Sequence, residues 1–91
     1  MTVETPHGEF IVSDITRKQR RDNYKKVKRV FASQDVEQLH DLADEFSLIA
    51  FGNEEKAEKE LKGLSALQED EVLTAIIVAY MGMQQGNDTG D

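Results

Sequence analysis

Ninety-one residues allow one small domain with a modest core, which oligomerisation or a partner would usefully supplement. The absence of cysteine excludes disulfides, zinc–thiolate sites and thiol catalysis, and points to a reducing, cytoplasmic setting. The net charge is −7, yet positions 17–29 hold eight of the eleven basic residues and one acid, Asp22, so that segment is +7 and the remaining residues total −14.

So steep a division suggests that opposite charges meet, within one molecule, between copies or with a partner. An acidic remainder on so small a body lies within a few Debye lengths, roughly 8 Å each, of any phosphate bound to the basic segment. Nucleic acid therefore ranks below a protein as partner. Met1 to Pro6 has neither the basic region nor the apolar run of a secretory signal. The longest strongly apolar stretch, Val72 to Met83, is shorter than the ~20 residues that cross a bilayer, so no membrane span is expected.

In chain order, Val3 to Ile15 reads as a β-hairpin. Pro6-His7-Gly8 supplies the turn, since proline presets φ and glycine accepts a positive φ. Phe10, Ile11, Val12 and Ile15 give the return strand its aromatic and β-branched character. An isolated hairpin is marginal in water, so this one must pack on helices or pair with another strand.

Thr16-Arg17-Lys18-Gln19 fits a capping box and opens a first helix running to about Ala32. At about 100° per residue, Tyr24, Val27, Val30 and Phe31 share one face. Arg17, Lys18, Arg21, Lys25, Lys28 and Arg29 fill an adjacent arc of roughly 120°. This arc is a candidate partner-binding face. Three uses are open to it: a merely solvated face, an acidic protein surface, or nucleic acid. The arc carries no aromatic residue, which weakens single-strand binding, because that needs stacking platforms.

Ser33 and Asp35 offer N-caps for a second helix over about Val36 to Phe51. Its apolar face is Val36, Leu39, Leu42, Ala43, Phe46, Ile49 and Ala50, with Glu37, Asp41, Asp44 and Glu45 opposite. Its acidity counts against a DNA-recognition helix. Gly52 suits its C-terminus, and Asn53 can cap a third helix over about Glu54 to Lys62. That helix is almost all charge, with Ala57 and Leu61 its only apolar stripe. It reads as a solvated connector.

Ser65-Ala66-Leu67-Gln68 is a second capping box, and Glu69, Asp70 and Glu71 complement the dipole of the fourth helix. Val72, Leu73, Ile76, Ile77, Val78, Tyr80 and Met81 then spread around the whole wheel. Three short helices, one of them mostly charge, cannot easily surround it. Leu73, Ile76, Ile77, Tyr80, Met81 and Met83 are therefore a second candidate partner-binding surface, possible also between copies of the chain. Residues 84–91 contain no apolar side chain and read as a disordered tail.

The pattern as a whole predicts a mainly α protein. A short N-terminal hairpin (3–15) is followed by a small bundle of about four helices (16–83), together forming one domain over 1–83. No catalytic, cofactor or metal site is expected. His40 has helical spacing to Glu37 and Asp44 but no second histidine nearby, and His7 lies in the hairpin turn. The paired carboxylates Glu54/Glu55 and Glu69/Asp70/Glu71 sit at helix starts, where the dipole explains them. Gly82 to Gly86 lacks the Lys-Ser/Thr of a phosphate loop.

The opening Thr5-Pro6-His7-Gly8-Glu9-Phe10-Ile11-Val12-Ser13-Asp14-Ile15-Thr16-Arg17-Lys18-Gln19-Arg20-Arg21, and the apolar last helix Glu71 to Gly82, resemble bacteriophage tail assembly chaperones. In that family a Thr-Pro-x-Gly hairpin and a capped charged helix precede an acidic helical body. The resemblance implies a non-enzymatic protein of the host cytoplasm that binds tape-measure or tail-tube proteins during tail assembly. Two other readings are a structural head–tail or minor virion protein, and a small nucleic-acid-associated regulator using residues 17–29.

Overall fold

The computed structural model describes residues 1–82. It contains a two-stranded antiparallel hairpin, β1 (Thr2–Thr5) and β2 (Gly8–Ile11), and four helices, α1 (Arg17–Ser33), α2 (Val36–Phe51), α3 (Glu54–Glu60) and α4 (Ala66–Met81). The protein is thus mainly helical, with an N-terminal hairpin, as the periodicities predict.

The hairpin turns on Pro6 and His7 and pairs Val3 with Phe10 and Thr5 with Gly8. Gly8 has φ +114°, a value that favours glycine. The Thr5 hydroxyl donates to the Gly8 carbonyl at 2.7 Å and accepts from the His7 amide at 3.1 Å, closing the turn. The return strand ends at Ile11, four residues short of the expected limit. Val12 still exchanges two backbone bonds with Met1, at 2.7 and 2.8 Å, but β1 has no residue left to pair beyond it. The Ser13 amide donates instead to the Ala50 carbonyl at the end of α2, 2.9 Å away.

Both capping boxes form. The Thr16 and Ser65 hydroxyls accept from the Gln19 and Gln68 amides, and those glutamines reach back to the cap amides. Asp35 and Asn53 cap α2 and α3 through their side chains. Helix α3 is shorter than expected and is more than a solvated connector: Ala57 and Leu61 are buried, and α3 packs against α2.

Helix α4 is the centre of the molecule. Leu73, Ile76, Ile77, Tyr80 and Met81 are all buried within the single chain, so they do not form an open partner-binding surface. The cover of α4 is not helical alone. In the fold β1 lies on α4 as well, bringing Val3 into the core, while α1 contributes Val27 and Val30 and α2 contributes Leu42 and Phe46. The Tyr80 hydroxyl donates to the Ser13 carbonyl, which ties the end of α4 to the segment leaving the hairpin. Met83 and the expected disordered tail lie outside the described residues. Val36 is a smaller departure. It is 61% exposed, because the first residue of α2 lies beyond the reach of the core.

Candidate interaction face

Helix α1 is held by its inner stripe. Val27 and Val30 are buried against α2 and α4, so the arc carrying Arg17, Lys18, Arg21, Lys25, Lys28 and Arg29 faces solvent. All six side chains are exposed. The other two cations of the segment serve the fold. Lys26 Nζ lies 2.7 Å from Glu45 Oε1 on α2. Arg20 Nη2 donates at 3.0 Å to the Met81 carbonyl, where a cation also complements the C-terminal dipole of α4.

Of the six, only Lys18 has a carboxylate partner among the described residues. Its Nζ is 2.9 Å from Asp22 Oδ2, one helical turn on. That hydrogen bond, with the charge of Asp22, holds the Lys18 ammonium above its ordinary range. Arg17, Arg21, Lys25, Lys28 and Arg29 lie within 4.0 Å of no carboxylate among the described residues. Arg17, Arg21, Lys25 and Arg29 follow at successive intervals of four, an arrangement of like charges that destabilises a helix by about 0.2–0.5 kcal/mol per pair.

The first turn of α1 also opposes its dipole. The other three helices carry an acid in the first turn: Glu37 in α2, Glu54 and Glu55 in α3, Glu69 in α4. The first turn of α1 has no acid and begins Arg17-Lys18. Cations at a helix N-terminus oppose the dipole, an effect of about 0.3–1 kcal/mol each at low ionic strength.

Tyr24 is placed differently from its sequence assignment. It is 38% exposed, at the margin where the apolar stripe meets the basic arc. On a helix it lies about 60° from Val27 but only about 20° from Arg17, so it belongs as much to the arc as to the core. Lys28 Nζ stands 5.7 Å from the centre of its ring, within cation–π range. A shallow depression of about 380 Å³ runs beside it, lined by Arg20, Arg21, Asp22, Tyr24 and Lys25. The arc therefore does present an aromatic ring, which the wheel alone allotted to the core.

The histidines are occupied elsewhere. His7 Nε2 is 2.6 Å from Glu71 Oε1 and His40 Nε2 is 3.1 Å from Asp70 Oδ2. They link the hairpin turn and α2 to the start of α4, and the neighbours Glu37 and Asp44 are not part of the His40 contact. Comparison of the chain with family models, with curated proteins and with solved structures finds no match.

Proposed function

We propose that the protein is a non-enzymatic binding module that recognises an acidic protein surface through the basic face of α1. The observation that carries this reading is the row Arg17, Arg21, Lys25, Lys28, Arg29, which has no carboxylate partner among the described residues, on a helix whose first turn sets cations against the dipole. The other helices open on acids, while α1 opens on cations and lines up like charges along one exposed face, so its local conflict is concentrated where a partner can relieve it. Lysine and arginine stems beside Tyr24 add apolar contact to charge.

The resemblance of the opening segment gives the partner its class. We assign the module to tail assembly, binding a tape-measure or tail-tube protein in the host cytoplasm and keeping it soluble until it is incorporated. Because Leu73, Ile76, Ile77, Tyr80 and Met81 are buried, we place the client contact on α1 in place of α4. Photo-crosslinking from position 28, in the cell that makes the protein, identifies the client by mass spectrometry. Capture of a tail protein by the wild type and its loss in Arg17→Glu/Lys25→Glu is the expected result. Equal capture by that variant would refute the reading.

Exposed Tyr24 favours a second reading, a nucleic-acid contact, because it offers a ring for stacking among cations. That reading requires affinity for any duplex or single strand to fall steeply with salt.

A further inference from the structure

We propose that the basic face of α1 docks into an acidic-rimmed groove on a second copy of this chain, so that copies associate head to tail. The groove lies between α2, α3 and the start of α4 and has a volume of about 410 Å³. Its floor is apolar: Leu48, Ala57, Leu61 and Leu73 line it. Leu48 is 46% exposed there, while the other three belong to the core. Its rim is made of Asp44, Glu54, Glu58 and Glu69. None of these four carboxylates lies within 4.0 Å of a cation among the described residues.

The two surfaces are built alike with opposite sign. On α1 a half-exposed Tyr24 is bordered by Arg17, Arg21, Lys25 and Lys28. In the groove a half-exposed Leu48 is bordered by four acids. Long basic side chains suit such a groove, since their stems lie along the apolar floor while their heads reach the rim. The phenol ring meets the exposed leucine between them. The contact cannot form within one copy, because α1 packs on α2 and α4 and does not touch α3. Each copy then presents one donor face and one acceptor groove. Such a heterologous contact generates rings or open chains rather than a closed two-fold dimer. A client with an acidic surface would compete with the groove for the same face.

This inference rests on the reading of α1 as a docking face, and its test separates the two. Sedimentation velocity on the full chain, over a concentration series at about 20 mM and about 500 mM salt, should show association at low salt that is weaker by at least about tenfold at high salt. Arg17→Glu/Lys25→Glu and Asp44→Lys/Glu58→Lys should each be monomeric. Mixed one to one they should associate again, because the acidic α1 of the first now faces the basic groove of the second, and the unaltered surfaces also match. All four positions are exposed, and circular dichroism checks that each variant folds. Should a reversal disturb the fold, the neutral changes Arg17→Gln/Lys25→Gln and Asp44→Asn/Glu58→Gln must still weaken association. A monomeric wild type at low salt, an associating single-face variant, or a silent mixture would each overturn the proposal. Preferential binding of duplex DNA in place of a second copy would do the same. Client capture that persists while self-association is absent would remove this inference and leave the proposed function standing.

Discussion

Replacing Tyr80 with phenylalanine should change both the level and the pH dependence of stability. The ring is 2% exposed and lies against Phe46, with centroids 6.1 Å apart, so Tyr80→Phe leaves the packing in place and removes one hydroxyl. At pH 8 the loss is that of one hydrogen bond, to the Ser13 carbonyl, or about 0.5–1.5 kcal/mol. Burial, and secondarily the negative charge of Asp14, push the Tyr80 hydroxyl from 10.0 up to about 12. The unfolded chain therefore releases this proton first as pH rises. Between about 10 and 12 the folded state binds more protons than the unfolded one, so the slope of stability with pH is negative. Two pH units correspond to under about 3 kcal/mol. The hydroxyl reaches the exposed Ser13 and Asp14, where solvent screens part of the effect, and about 1–1.5 kcal/mol is a fair figure. Wild type should thus be the more stable protein at pH 8 and lose its advantage by pH 12. Urea denaturation followed by circular dichroism at intervals across that range measures both curves. Other titrating groups are common to the two proteins and cancel in the difference. A constant offset from pH 8 to 12 would refute the reasoning.

Ile77→Glu should unfold the chain rather than dissociate a complex, because that side chain is fully buried in α4; a folded monomer by circular dichroism would count against the assigned core. Ile76→Ala should cost about 2–5 kcal/mol in chemical denaturation, as large-to-small changes at fully buried sites do. Thr16→Ala and Ser65→Ala should each cost about 0.5–2 kcal/mol, and denaturation midpoints unchanged in both would contradict the observed capping boxes. Gly8→Ala should destabilise by about 1–3 kcal/mol although nothing lies within 4 Å of the added carbon, since the cost is that of φ +114° alone.

Local chemistry was the legible part of this chain. Thr16 and Ser65 announce their helices because a cap is satisfied three residues away, and Asp35 and Asn53 do so for the same reason. Contacts between distant segments were not legible. Nothing in the period of α4 reveals that β1, with Val3, will complete its cover, so a helix apolar on all sides read as an interface. The Ser13 amide leaves the expected strand for Ala50, and His7 meets Glu71, across separations that no local pattern encodes. The basic arc was visible as a wheel. That five of its six cations have no carboxylate partner among the described residues was not, because whether Lys26 finds Glu45, or Arg20 the end of α4, depends on how the helices pack. Tyr24 shows the limit of the wheel itself: a residue at the edge of a stripe belongs to the core or the surface according to the width of its neighbours.

The most direct test of the docking face measures stability and binding on the same variant. Arg17→Glu/Lys25→Glu places an acid at the positive end of α1 and turns the row 17, 21, 25, 29 into alternating charges, with Glu-to-Arg order at 17–21 and 25–29. Relief of the dipole conflict and of the like-charge pairs should raise monomer stability by about 1–2 kcal/mol in urea denaturation. The same change should abolish capture of the protein partner crosslinked from position 28. A variant that is more stable and no longer binds is the result the account predicts. A variant that is more stable and binds as the wild type does would contradict it, leaving the cations of α1 as a solvated face.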